Sequence, residues 1–389
     1  MAPPSKTMAS ETTANPVHLP APTRDQPPAN LVGPVAWVRA NLFNSWLSTA
    51  VTLALGYVVL RAGFFLLNWG LLDAVWTVPN LPNGNPDPSA CRAVHGVGAC
   101  WAAVHDKWRL TLFGRYPFDE QWRPAICLAL FIGLYIVSGL RRFWRKELVF
   151  IWVGTLGLIF LLLWGGVLGL SYVPQDEWGG LPITLLLATF GLACAFPLAV
   201  LVALGRRSTG LPAVKMICVV YVELIRGVPL VALLFMASVM LPLFLPTGYN
   251  IDKLLRAQIA IILFVAAYVA EVVRGGLQAL PKGQTEAADA LGLNYWQKTL
   301  KIVLPQALRL VIPPLVNTFI GFFKDTSLVV IIGIFDLLLS GKTAMADPTW
   351  QGAAPEIYAF MAVIYFAFCF AMSSYSRNLE AKLGRSRNR

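Results

Sequence analysis

The stretch EAADALGLNYWQKTLKIVLP, from Glu286 to Pro305, is a polar insert in an otherwise strongly apolar chain. It matches the pattern E-A-A-x3-G-x9-I-x-L-P with every fixed position filled. The residues up to Leu291 are good helix formers, and Gly292 readily takes the positive φ of a helix C′ position. Pro305 suits the first turn of a following helix. We therefore predict two short helices that are joined at Gly292 and lead into a longer third helix.

The first of these helices has a face of small residues. Ala287, Ala288 and Leu291 share that face under the i, i+3 and i+4 rule, so a partner could approach closely. Glu286 at the N-terminal end favours the helix dipole and could pair with a basic residue of that partner. The alternative is a basic amphipathic helix that lies flat on the bilayer surface. Three lysines would suit that arrangement: Lys282, Lys298 and Lys301.

The composition indicates a membrane protein. The chain has 389 residues, of which 57% are hydrophobic and 13% are charged. A soluble protein carries roughly 25% charged residues, so too few charges are present here to cover a surface that faces water. The formal net charge is +11, but the basic residues are scattered between apolar runs instead of forming a patch. Positive loops on one side of a membrane explain them better than a nucleic-acid partner does.

Eight apolar runs approach the roughly 20 residues that a spanning helix needs. Six contain no charged residue: Ala40–Leu60, Pro124–Leu140, Leu148–Gln175, Trp178–Gly205, Gly227–Ile251 and Ile357–Ser376. The other two, Ala257–Ala270 and Leu310–Phe323, reach membrane length only if Glu271, or Lys324 with Asp325, is tolerated near the bilayer. The prediction is an all-α integral membrane protein with about eight transmembrane helices.

These runs predict the organisation of the chain. In order, we expect a disordered tail (1–40), a first span (41–68), an ectodomain (69–123), two further spans (124–175), a core of five spans (176–379) with a polar loop (274–309), and a basic tail (380–389). The tail at 1–40 contains no apolar core of the length a secretory signal needs, so it is expected to remain uncleaved.

The basic residues of the loops predict the orientation. Segments 141–146, 205–215, 274–309 and 377–389 hold four, three, five and five Lys or Arg residues. The intervening loops 171–181, 243–256 and 340–357 hold none, two and one. Basic loops remain cytoplasmic, so both termini are expected to face the cytoplasm.

The cysteines do not form a redox scaffold. Cys91 and Cys100 lie together in the polar segment predicted to be outside, where an oxidising compartment permits a disulfide. The alternative is two separate packed thiols, since spacing does not determine Cα geometry. The other four lie in apolar runs, where cysteine acts as a small hydrophobe: Cys127, Cys194, Cys218 and Cys369.

Four further stretches carry a resemblance to a known family. They are YVELIRGVPL (Tyr221–Leu230), AYVAEVVRGG (Ala267–Gly276), LPKGQ (Leu280–Gln284) and KDTSL (Lys324–Leu328). With the Glu286–Pro305 pattern, they resemble the polar amino-acid uptake branch of ABC import permeases. The resemblance covers about residues 179–379 and implies a five-helix type I importer core. The N-terminal extension of three helices resembles the longer permease subunit of general L-amino-acid importers.

In that family the polar loop docks the membrane subunit onto its ATPase. The resemblance therefore implies ATPase-coupling roles for eight residues of this chain: Glu286, Ala287, Ala288, Leu291, Gly292, Ile302, Leu304 and Pro305. It further implies a non-catalytic permease in the bacterial inner membrane that forms half of a pathway for polar L-amino acids. The implied partners are an ATPase dimer, a second permease that is a paralogue, and a periplasmic amino-acid-binding protein.

The sequence indicates no cofactor held by the chain itself. No G-x-x-x-x-G-K-[ST] phosphate loop occurs, so ATP and Mg are expected to be used by the partner ATPase. The three histidines show no spacing typical of metal ligands, and no metal site is predicted.

Charged residues near the bilayer are the remaining candidates. Glu223 with Arg226, and Glu271 with Arg274, are i, i+3 pairs that we interpret as ion pairs at helix ends, or alternatively as part of an inner gate. A second set could line a substrate pathway: Tyr268, Asn317, Lys324, Asp325, Thr326 and Ser327. For Lys324–Ser327 the alternative is a structural break, and for Tyr268 and Asn317 it is hydrogen bonding between helices.

Two other functions compete with the permease. An ion-coupled secondary amino-acid transporter would use Asp325 as its coupling acid, but such proteins often show inverted repeats, and no convincing repeat is present. The transporter alternative leaves the pattern from Glu286 to Pro305 unexplained. A membrane receptor or scaffold would use the ectodomain for sensing and the loop for signalling.

Overall fold

A computed structural model describes residues 33–143, 147–208, 210–246, 248–249 and 251–387. Most of the tail predicted for 1–40 lies outside these residues. The chain divides into two units, 1–68 and 69–389. Within the described residues, seven helices are long and apolar enough to cross a membrane, or eight if one bent pair counts as a single span. In the described residues, β-type backbone pairs occur only as isolated bridges, which confirms the all-α prediction.

The first unit contains two helices, α1 (Pro34–Leu42) and α2 (Trp46–Leu67). Ser45 caps α2, because its Oγ accepts the N–H of Ser48 at 3.2 Å. The hydroxyls of Ser48 and Thr52 both donate to the carbonyl of Leu42 at 2.9 Å and so hold the turn between the two helices.

The second unit begins with two short helices and two spans. The short helices are α3 (Ser89–Ala93) and α4 (Trp101–Phe113). The spans are α5 (Trp122–Gly139) and α6 (Glu147–Trp164), which pack against each other. Trp152 of α6 donates its indole N–H to Ser138 of α5 at 3.0 Å.

Two long helices form the centre of the bundle: α7 (Gly180–Arg207) and α11 (Lys253–Gln278). Between them the chain forms α8 (Pro212–Gly227), α9 (Leu230–Phe235) and α10 (Leu241–Phe244). Small residues let α7 and α11 approach closely. A Cβ added at Gly191 of α7 would lie 2.9 Å from the Ile261 side chain of α11, so only glycine fits there without a shift.

The remaining helices complete the bundle. They are α12 (Gly283–Ala290), α13 (Tyr295–Lys298), α14 (Leu304–Asp325), α15 (Leu337–Met345) and α16 (Ala354–Arg387). A wider helical turn over Thr299–Val303 joins α13 to α14 just before Pro305, whose missing N–H interrupts the regular ladder.

The bundle has two ends, which its contacts define. Gly180 at the start of α7 pairs with Asp336 next to α15, and we call this the α15 end. Arg206 at the other end of α7 contacts Glu271 near the end of α11, which leads into α12. We call this second end the α12 end.

The sequence predicts a span over Gly227–Ile251 with a helix interruption at Pro229. In the structure, α8 bends by 102° into the run Leu230–Phe244. Val228 is extended (φ −109°, ψ 133°), as expected of a residue before proline, and Pro229 has no N–H to continue the helix. The span is therefore a broken pair of helices that begins at Pro212.

Candidate functional site

The Glu286–Pro305 segment forms a helical hairpin of α12 and α13 at the α12 end. Gly292 has a φ of +70° and ends α12. Leu293 donates its N–H to the carbonyl of Ala288 at 3.2 Å, and Gly292 donates to Asp289 at 2.9 Å. These bonds satisfy the carbonyls at the end of the helix and turn the chain back on itself. We call Gly283–Lys298 the coupling hairpin.

A capping box begins the second helix of the coupling hairpin. Asn294 Oδ1 accepts the N–H of Gln297 at 2.9 Å, and Gln297 Oε1 accepts the N–H of Asn294 at 3.1 Å. Lys298 then pairs with Asp289 of α12 at 2.5 Å. The box was not predicted, although N-x-x-Q before a helix is a readable signal of its start.

The coupling hairpin presents an apolar surface that differs from the predicted face. Ala288 is turned inward and is only 1% exposed, because α12 packs on the turn Thr299–Val303. The expectation that Ala287, Ala288 and Leu291 share one docking face is therefore wrong for Ala288. Four large side chains are instead more than half exposed: Leu291, Tyr295, Trp296 and Leu300. We call these four the hairpin surface.

The other predicted coupling residues surround this surface. Glu286 and Ala287 are exposed on α12, and Pro305 is exposed at the start of α14. Ile302 and Leu304 are half-buried. Gln306 Nε2 donates to Gln284 Oε1 at 3.1 Å, so the coupling hairpin is bonded to α14 as well as to itself.

A cluster of charges joins three helices at the α12 end. Glu271 pairs with Arg274, as its spacing predicts, and also with Arg206 of α7 at 2.7 Å. The pair predicted between Glu223 and Arg226 does not form in the structure. Because α8 lies beside α7, Glu223 meets Arg206 at 3.0 Å instead, while Arg226 reaches Glu271 at 4.0 Å. The cluster therefore fastens α7, α8 and α11 to one another.

The segment from Lys324 to Ser327 marks the end of α14. The helix tightens after Asp325 into a 3₁₀ helix over Thr326–Ile332. The hydroxyl of Thr326 donates to the carbonyl of Phe323, and that of Ser327 to the carbonyl of Lys324, both at 2.7 Å. These local bonds satisfy the helix end and make the segment a structural break.

The predicted pathway residues do not all lie together. Asn317 and Lys324 are exposed and are seven residues apart on α14, which places them on the same face two turns apart. Tyr268 lies on α11, where its ring centre is 4.7 Å from that of Phe264. The guanidinium of Arg226 lies 5.4 Å from the ring centre of Tyr268, so this tyrosine is associated with the charged cluster.

The polar segment 69–123 packs on the α15 end of the core. Cys91 and Cys100 are joined by a disulfide with a Cα–Cα distance of 5.4 Å. Lys107 of α4 pairs with Asp347 at 2.6 Å, and Trp350 donates its indole N–H to Asp106 at 2.7 Å. The Lys107 ammonium holds the pKa of the Asp347 carboxyl below its usual range. No local pattern in the sequence predicts the contacts of Lys107 and Trp350, because each joins residues more than two hundred positions apart.

Asp336 is a further buried acid at the α15 end. Its Oδ1 accepts the N–H of Leu339 at 2.9 Å and so caps α15, while the residue is 0% exposed. Burial raises the pKa of Asp336 to about 6, although its hydrogen bonds with backbone N–H groups oppose the shift. The sequence predicts no role for it.

Comparison with known proteins extends these observations. Residues 195–385 match the family model described as binding-protein-dependent transport system inner membrane component. The inner membrane amino-acid ABC transporter permease protein YhdY of Escherichia coli (strain K12) is 47% identical, with 91% of this chain and 94% of that protein covered.

Two other proteins are also similar. The glutamate/glutamine/aspartate/asparagine transport system permease protein BztC of Rhodobacter capsulatus is 38% identical, with 92% of this chain and 95% of that protein covered. A crystal structure of an amino acid ABC transporter with histidines is 31% identical, covers 52% of this chain and 92% of that chain, and has a TM-score of 0.47.

The identity to YhdY extends over nearly the whole of both chains, so it includes the N-terminal helices as well as the core. This multi-pass protein therefore belongs to the inner membrane components of binding-protein-dependent transport systems, the ABC import permeases that its sequence resembles.

Proposed function

We propose that this chain is the longer permease subunit of an ATP-driven importer of polar L-amino acids. The coupling hairpin carries the proposal, because it projects an apolar surface at the end of the bundle that also holds the charged cluster. An apolar patch rimmed by polar groups is typical of a protein–protein contact. The names of the similar permeases, for amino acids and for glutamate, glutamine, aspartate and asparagine, support the substrate class.

The hairpin surface is proposed to seat in a groove of an ATPase partner. Leu291 is 77% exposed, and the rings of Tyr295 and Trp296 pack edge to face with their centres 5.3 Å apart. Aromatic side chains of this kind are common anchors of protein interfaces. Glu286 and the exposed Ala287 would border the contact, and Gly292 would maintain the turn that presents it.

Movement of the ATPases would reach the core through direct bonds. Lys298 with Asp289 holds the two helices of the coupling hairpin together, and Gln306 with Gln284 holds the hairpin to α14. A partner that shifts the hairpin would therefore displace α14 as well. ATP and Mg would act in the partner, and this chain would contribute no catalytic group.

The pathway is proposed to run along the polar face of α14. Lys324 and Asn317 are exposed within an otherwise apolar span, where a charge needs water or a polar partner. A second permease subunit would supply that partner and close the pathway. Because basic loops remain cytoplasmic, both termini would be cytoplasmic and the α15 end would be periplasmic. A binding protein would deliver the amino acid at that end.

A double variant of the hairpin surface tests the proposal. Leu291→Asp with Trp296→Asp should abolish co-purification of the ATPase with the tagged chain and should abolish uptake of labelled L-glutamine. Leu81→Asp is the control, since Leu81 is an exposed apolar residue that lies outside the coupling hairpin, in the segment 69–123. Normal ATPase recovery and normal uptake with the double variant would overturn the proposal.

A further inference from the structure

A cavity lies between the disulfide-closed segment and the core at the α15 end, far along the bundle from the coupling hairpin. It has a volume of ≈ 120 Å³, well above the roughly 10–15 Å³ that one water needs. One wall belongs to the segment 69–100 and the other to residues 349–356, which lead into the first turn of α16. The Cys91–Cys100 disulfide and the bond from Ala99 N–H to the carbonyl of Trp69, at 2.7 Å, hold the first wall in place.

Glu356 lines this cavity, and one of its carboxyl oxygens is unsatisfied. The residue is only 4% exposed, and its Oε1 accepts the N–H of Cys100 at 2.8 Å. Its Oε2 is buried and has no hydrogen-bond partner among the described residues. Leaving a buried acceptor of this kind unpaired is unfavourable, so the second oxygen calls for a donor from a bound molecule. The tether to Cys100 does not use that oxygen.

The surroundings of Glu356 favour a cationic donor. Trp69 and Trp350 both line the cavity, and indole faces attract ammonium groups. Trp350 donates its own N–H to Asp106, which leaves its ring fixed as a wall without a free donor. A carboxylate next to aromatic walls is the arrangement that recognises an ammonium group.

The same cavity also has a basic side. Arg92 and His95 line it and are exposed. His95 is held against Gly352, where an added Cβ would lie 2.5 Å from the imidazole ring. A guanidinium is well suited to a carboxylate ligand, since it can offer two parallel N–H donors.

We propose that this cavity binds a free α-amino acid, with its ammonium at Glu356 and its carboxylate at Arg92 and His95. The site is separate from the predicted pathway residues of α14. It would therefore hold amino acid on the outer side of the permease before or beside transport. The small volume selects a short side chain.

Equilibrium binding of ¹⁴C-L-alanine to the full chain in lipid nanodiscs tests the site without any ATPase or binding protein. We expect saturable binding that Glu356→Gln weakens at least about tenfold, because a charge-assisted bond is lost. Arg92→Ala should weaken binding several-fold. Ethylamine should compete in the wild type and in Arg92→Ala, whereas propionate should compete only weakly.

Two controls make the outcome decisive. Arg142→Ala, another exposed arginine, should bind alanine normally. Thermal unfolding must show that each variant is folded. The proposal is overturned if folded wild type binds no alanine, or if Glu356→Gln and Arg92→Ala leave binding unchanged. Saturable binding of ¹⁴C-ethylamine by a folded wild type that binds no alanine would overturn the amino-acid assignment in favour of a simple amine. None of these results depends on the ATPase, so they are independent of the proposed coupling.

Discussion

Gly292 shows how one residue controls the geometry of the coupling hairpin. Its φ is +70°, and a Cβ built there would meet nothing within 4 Å. The requirement for glycine at this position is therefore conformational and does not arise from crowding. A residue with a side chain would oppose the turn by about 1 kcal/mol.

Gly292→Ala should accordingly loosen the coupling hairpin without creating a clash. Amide hydrogen exchange of residues 286–298 should become several times faster, since about 1 kcal/mol is a factor of about five. Gly283→Ala is the matched control, because its Cβ also meets nothing within 4 Å and its φ is not positive. Equal exchange in the two variants would contradict this explanation.

Asp336 should make the stability of the protein depend on pH. Its folded pKa of about 6 exceeds the value of about 3.9 expected in an unfolded chain, so the protonated form favours folding. The resulting stability is present below about pH 4 and is lost as pH rises through 6, by roughly 2–3 kcal/mol. Lys342, whose charge lowers this pKa, and Tyr365 face the carboxyl group.

Asp336→Asn keeps a helix cap but has no charge to bury, so it should remove this dependence. We expect its melting temperature, relative to wild type, to rise between pH 5 and pH 7.5. Asp252→Asn, which alters the exposed cap of α11, serves as the control. A constant difference between wild type and Asp336→Asn across that range would show that Asp336 does not titrate there.

Two residues show that sequence spacing alone does not establish which contacts a helix face makes. The i, i+3 rule correctly groups the positions on α12, but it does not say which side faces the protein. Ala288 turns inward because α12 folds onto Thr299–Val303, and that packing depends on a turn ten or more residues away. Glu223 likewise finds Arg206 on another helix in preference to its neighbour in sequence.

Two independent features hold the two helices of the coupling hairpin together as one structural element. The capping box of Asn294 and Gln297 begins α13, and the Lys298–Asp289 pair returns it to α12. Both use residues of the predicted loop, so this element could be predicted almost entirely from local sequence. The bend at Pro229 is also a local signal, but an apolar run on both sides of it resembles one continuous span.

Asn294→Ala should weaken the start of α13 by about 1 kcal/mol, because the N–H of Gln297 loses its acceptor. Hydrogen exchange over residues 295–299 should become about fivefold faster. Asn294→Asp should restore slow exchange, since aspartate caps a helix as well as asparagine does. Slow exchange in Asn294→Ala would mean that packing alone maintains α13.

Across the whole molecule, the spans other than the broken pair Pro212–Phe244 could be predicted from sequence, and the docking of segment 69–123 could not. Apolar runs identify spans because lipid contact leaves a continuous signal of about 20 residues. The contacts of Lys107 with Asp347, and of Asp106 with Trp350, join distant parts of the chain. Only folding brings these groups together.

The Lys107–Asp347 pair should therefore stabilise the packing of segment 69–123 on the core. Reversing the charges of the two residues tests this expectation. Lys107→Glu places a new acid beside Asp106 and Asp347, so it should lower the melting temperature in detergent and expose the segment to proteolysis. Adding Asp347→Lys should restore much of the loss, because the introduced ammonium would meet both the introduced carboxylate and Asp106. The wild-type pair should persist at pH 5, since the pKa of Asp347 is lowered and its contribution is lost only as pH falls through that value. If the double variant is no more stable than Lys107→Glu, the segment is held by its apolar contacts and the ion pair is incidental.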